Sequence, residues 1–131
     1  MTSQPDFWGD IELTGDRTPL VILREQAALL GAKTKNVVKV KVTTSVSGKH
    51  LHHSFNLVAP ALDNYTYELF RVRHGVEAYP VNVEAMDAKL PIKAHFPILR
   101  DEAGFAAWLQ EQLSSPRTKK IIATLFSQVA A

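Results

Sequence analysis

The side chains with the widest chemical repertoire fall in one run of this sequence. Between Glu25 and Asp63 no acid occurs, while Lys33, Lys35, Lys39, Lys41, Lys49, His50, His52 and His53 all do. His50 and His52 stand two apart, which on a strand places both imidazoles on one side and makes half of a zinc or copper site. The other half is missing locally. A third ligand would have to be His74 or His95 from elsewhere, and the surrounding lysines oppose a cation. The expectation is therefore a solvated strand face with no metal and no cofactor. His53 falls on the opposite, apolar side, where a hydrogen-bonded core histidine is the expected outcome.

Nucleophilic and acid–base chemistry find less support. Ser54 follows His53, but neighbouring strand residues point to opposite faces and cannot form a nucleophile–base pair. No G-x-S-x-G turn and no glycine-rich phosphate loop occurs. Glu68, Glu77, Glu84 and Asp87 are scattered and read as surface charges. With no cysteine, disulfides, thiolate zinc sites and cysteine nucleophiles are excluded. The expectation is a non-catalytic chain that works by binding.

Two surfaces offer binding. The first is basic: Lys39, Lys41, His50 and His52 project from one side of a hairpin, joined by Arg71 and Arg73 if the next strand turns its odd residues outward. In that register Tyr65 and Tyr67 add aromatic platforms among the cations, the arrangement that holds single-stranded nucleic acid. The opposite register buries the tyrosines and leaves Glu68 outside, and a face swap at a bulge near Leu69 is the third arrangement. The second surface is an amino-terminal arm, residues 1–17, in which Phe7, Trp8, Ile11 and Leu13 are apolar while Asp6, Asp10, Glu12 and Asp16 are acidic. Such an arm docks on its own core, on the basic sheet face, or on a dimer mate.

The elements that position these residues are legible from periodicity. Ile11 to Thr14 alternates like a short strand. Thr18-Pro19 is a cap followed by proline at the first helical position, opening a helix over about Pro19–Leu30 with Gly31 as its stop. Its broad apolar face predicts burial on more than one side. Asn36 to Val46 alternates valine with lysine, threonine and serine, and the pattern resumes from His50 to Ala59 after the Ser47-Gly48 turn. Tyr65–His74 reads as a third strand and Val76–Val83 as a fourth, with Pro80 favouring an edge or bulge. Residues 84–100 read as irregular, with Phe96, Ile98 and Leu99 adding a short strand or plugging the core. Asp101 and Ser115-Pro116 cap two final helices with strong apolar stripes.

The 131 residues, 46% hydrophobic and 21% charged, suit one globular domain. The expected architecture is an α+β domain over 18–131: a four-stranded antiparallel meander with one N-terminal and two C-terminal helices packed on one face. No apolar run reaches the roughly 18 residues a membrane span requires, and no secretory leader is visible at the start. Together these place a small cytoplasmic domain that binds a protein partner or itself as a homodimer. Nucleic-acid or anionic-ligand binding through the basic hairpin face is the alternative.

Overall fold

The computed structural model describes residues 4–13, 17–91 and 97–131. Helix α1 (Pro19–Lys33) is followed by strands β1 (Lys39–Ser47) and β2 (His50–Ala59), a 3₁₀ turn at Pro60–Leu62, and strands β3 (Tyr65–His74), β4 (Val81–Met86) and β5 (Ile98–Leu99). Helices α2 (Glu102–Leu113) and α3 (Pro116–Ala130) complete the chain. The sheet is an antiparallel meander in the order β1-β2-β3-β4-β5, and the helices lie against one face of it. The α+β meander thus stands, with Ile98–Leu99 as a fifth strand on the edge beside β4.

Local chemistry sets the helix starts. The Thr18 hydroxyl accepts from Val21 N–H, the Asp101 carboxylate from Gly104 N–H at 2.7 Å, and the Ser115 hydroxyl from Thr118 N–H at 3.2 Å. Each satisfies an amide that the first helical turn leaves without a carbonyl. Proline follows the cap in α1 and α3, where its missing N–H costs nothing.

Helix α1 runs past Gly31 to Lys33, so that glycine is not the stop. The chain turns at Lys35 and Asn36, both left-handed, with φ of 52° and 65°. Asn36 N–H returns to the Gly31 carbonyl at 2.8 Å, and a β-carbon at Gly31 would meet the Asn36 amide oxygen at 2.9 Å. Tight return of the chain, not helix termination, explains the glycine. The expected fourth strand begins late, at Val81, because Gly75 to Pro80 forms the connection, and it continues through Met86. Pro80 therefore precedes the strand instead of interrupting it.

The sandwiched core joins Phe55, Leu57, Leu69, Phe70, Val72, Val81 and Val83 of the sheet to Leu23, Phe105, Trp108, Leu109 and Leu125 of the helices. Phe55 and Phe70 stack at 5.0 Å between ring centroids, and Trp108 meets Phe70 edge-on at 4.9 Å. Two departures concern binding surfaces. Helix α1 buries only one side, through Ile22 and Leu23, and leaves Val21 and Leu29 about half exposed. Residues 11–13 form no strand, and Thr14 lies outside the described residues, as do Asp16, His95 and Phe96.

Candidate functional site

The hairpin register decides which charges meet. Lys41 stands opposite Asn56, which stands opposite Glu68; Ser45 stands opposite His52, which stands opposite Arg73; Ser54 stands opposite Arg71. Lys39, Lys41, His50, His52, Arg71 and Arg73 therefore share the sheet face turned away from the helices. The tyrosines do not join them. Between Phe55–Phe70 and Asn56–Glu68 the ladder gains one residue on β3, Leu69, and the strand changes faces there. Tyr65, Tyr67 and Leu69 point toward the helices, as do Phe70, Val72 and His74 beyond the bulge. The bulge resolves a conflict that neither uniform register could: the arginines stay wet and Tyr67 packs against the core, while Tyr65 on the same side is half exposed.

A second bulge alters the sign of the face. Val72 pairs with Val83 and Arg71 with Ala85, which leaves Glu84 as the extra residue on β4. Its carboxylate reaches His52 Nδ1 at 2.5 Å and Arg71 Nε at 3.1 Å. Glu84 is thus not the free surface charge that its isolation in the sequence suggests, since only 18% of its side chain is exposed. With Glu68 also on this face, the cations form no one-signed sheet surface. Lys39 and Lys41 lie on β1, the edge strand, where charged side chains discourage pairing with another sheet. His50 and His52 have ring centroids 6.5 Å apart, and no three His, Asp or Glu among the described residues gather as a metal site.

The deepest polar feature lies on the other side of the hairpin. His53, 1% exposed, meets His74 with 2.8 Å between their Nε2 atoms. His74 Nδ1 lies 2.7 Å from the Gly75 carbonyl, which can only accept, so His74 carries its proton there. His74 Nε2 then accepts from His53 Nε2–H, and His53 Nδ1 accepts from the Thr44 hydroxyl at 2.9 Å. Three side chains and a carbonyl form a directed chain in which every proton has one place. Burial, with the nearby charges of His74, Arg24 and His52 after it, lowers the His53 pKa from 6.5 to about 4.

A third cluster sits where α3 begins. Arg117 holds Asp87 through Nε at 3.2 Å and an Nη at 3.3 Å, the Tyr67 hydroxyl donates to the same carboxylate, and Lys89 N–H donates at 2.8 Å. Burial opposes the Asp87 charge, but the Arg117 and Lys89 hydrogen bonds outweigh it and hold the carboxyl below its ordinary range. Asp87, whose side chain is 4% exposed, is a second acid that is not a surface charge. Beside it opens a cavity of about 500 Å³ lined by Tyr65, Tyr67, Arg117, Lys120 and Ile121 among others. Asp87 and Arg117 are thirty positions apart, and no local pattern links them.

The arm stands off the body. Phe7, Trp8 and Leu13 are 79%, 80% and 91% exposed, and Ile11 is more than half exposed. Trp8 N–H donates to the Asp6 carboxylate at 2.9 Å, a bond within the arm itself. Its root is fixed: the Tyr79 hydroxyl donates to the Arg17 carbonyl at 2.8 Å, and the Arg17 guanidinium pairs with Glu25. Among the described residues, none of 4–13 joins the core, and the arm's four large apolar side chains stay exposed.

Comparison with protein families, with curated proteins and with solved structures returned no match to this chain. No helix among the described residues is long and apolar enough to cross a membrane.

Proposed function

We propose that this chain is a non-catalytic, cytoplasmic protein-interaction domain whose contact element is the amino-terminal arm, acting on a second copy or on another protein. One observation carries the reading: four large apolar side chains, Phe7, Trp8, Ile11 and Leu13, lie within seven residues and stay exposed while the body beneath them is packed. Burying a side chain of this size contributes about 1.5–3 kcal/mol, so the arm withholds several such contributions from its own fold. A protein surface is the environment that recovers them. The acids Asp6, Asp10 and Glu12 keep the arm soluble meanwhile and set the sign of the surface it suits.

A photo-crosslinking residue at Trp8, activated in the cells that carry the chain, tests this reading. One discrete adduct, identified by mass spectrometry as this chain or a single other protein, is expected. Absence of any discrete adduct overturns the reading.

A second reading has its own observation. Lys39, Lys41 and Arg73 are exposed on one sheet face and form no ion pair among the described residues. These support binding of a polyanion, weakened by the carboxylates of Glu68 and Glu84 on the same face. Salt-sensitive retention on heparin or single-stranded DNA that drops in Lys39→Glu plus Lys41→Glu is its expected signature. Equal retention of the double variant eliminates it.

A further inference from the structure

The helices do not close over the sheet. Helix α1 rests on β1 and α3 rests on β2, and between them runs an open trough. Ile22 and Leu30 of α1, Leu109 and Leu113 of α2, and Ile122 of α3 line a cavity of about 720 Å³. A smaller cavity of about 180 Å³ continues from it to the sheet floor at Val40, Phe55 and Leu57. A third, of about 410 Å³, extends it along α3 to Phe126. The three share Lys33 and Ile122, so they are one depression. Leu29 and Phe126, each about half exposed, stand on its two walls.

We infer that this trough receives the arm of a second copy of the chain, in a reciprocal exchange that closes a dimer. The inference rests on the reading of the arm as the contact element and names what that element contacts. Three observations support it. The arm's Phe7, Trp8, Ile11 and Leu13 lack an apolar environment, and Ile22, Leu30, Leu109, Leu113 and Ile122 of the trough offer one. The charges complement: Lys33 and Lys119 border the trough, with Arg17 there paired to Glu25 and Glu102 the one acid of the lining, while the arm carries Asp6, Asp10 and Glu12. Lys33 and Lys119 form no ion pair among the described residues. The lengths agree as well. From Ile22 to Lys33 the wall spans about 16 Å at the helical rise of ~1.5 Å per residue, a distance covered by about five extended residues. Phe7 to Ile11 is such a stretch. Arg17 borders the trough and no described arm residue lines it, which favours an occupant from a neighbour, and two such contacts related by a two-fold axis leave no open end.

Sedimentation equilibrium on the full chain tests this with two charge-reversed variants, Lys33→Glu plus Lys119→Glu in the trough and Asp10→Lys plus Glu12→Lys in the arm. These positions are exposed, so both variants retain the fold. The unaltered chain is expected to dimerise, and each variant alone to dissociate, since arm and trough then carry like charges. An equimolar mixture of the two is expected to dimerise again, because each arm meets a trough of opposite sign. Docking of each arm into its own trough cannot produce that recovery on mixing. Phe7→Ala plus Trp8→Ala is expected to weaken the dimer about 100-fold or more. If the dimer responds to the arm aromatics but not to trough reversal, or the mixture fails to recover, the trough inference is overturned while the arm reading stands. A chain that remains monomeric at all concentrations likewise overturns the exchange and leaves an arm that binds another protein. If the chain dimerises and the arm aromatics have no effect on it, both fall.

Discussion

At the scale of single residues, His53 and Asp87 govern stability in different pH windows. The folded state lowers the His53 pKa from 6.5 to about 4, so the unfolded chain binds a proton there first. Stability from neutral His53 is complete above pH 6.5 and falls as pH drops toward 4, by on the order of 3 kcal/mol. Urea unfolding measured between pH 7 and 4 is expected to show that decline. His53→Gln, which keeps an amide donor for His74 but cannot titrate, is expected to flatten it; an equally steep profile in the variant would show that the proton uptake lies elsewhere. Asp87 acts at lower pH and with the opposite ionisation. Its carboxyl is held below the ordinary range, so its contribution is present above about pH 4 and disappears only as acid titrates the folded form. The sequence pointed to a core histidine at position 53, from strand alternation alone. It carried no sign that His74, twenty-one residues away, would be the hydrogen-bond partner.

At the scale of elements, the charge cluster at Asp87 ties the first turn of α3 to the end of β4. Arg117 supplies two hydrogen bonds to a carboxylate that Tyr67 and Lys89 N–H alone leave undercompensated. Arg117→Leu is expected to cost about 2–3 kcal/mol in chemical denaturation, most of it from the stranded Asp87 charge. Adding Asp87→Asn should then recover part of the loss, and a variant as stable as the parent would show that the pair does not anchor the helix. The strands themselves were readable as elements, and β2 and β3 begin where alternation and turn chemistry place them. Their faces were not. A single extra residue at Leu69 reverses the strand, and another at Glu84 delivers a carboxylate to His52 and Arg71. Bulges arise from how two strands fit together, which the alternation of either one alone does not encode.

At the scale of the whole molecule, the arm and the body are separable in energy. No described arm residue belongs to the core, so at a dilution where the full chain is monomeric a chain beginning at Arg17 is expected to unfold within about 2 °C of it. Light scattering on the same pair is expected to show a larger mass for the full chain and a single-chain mass for the truncated one. A large fall in thermal midpoint on truncation at that dilution would mean that the arm stabilises its own fold, contrary to its exposure. The α1 apolar stripe illustrates the same point about scale: its width predicts two-sided burial, yet Leu29 stands at the trough and Val21 outside its lining, both about half exposed.

From its residues alone this chain specifies an α+β meander, its capped helices, a wet basic face and a dry one on the hairpin, and an arm too apolar to be inert. Those properties follow from side-chain periods of two and 3.6 and from cap chemistry, which act within a few residues. Tertiary structure alone decided that Glu84 breaks up the basic face, that His53 meets His74, that the tyrosines turn inward, and that α1 and α3 stand apart over a trough. Each of these depends on the relative placement of segments distant in the chain, where strand register and packing volume, not local spacing, select the outcome.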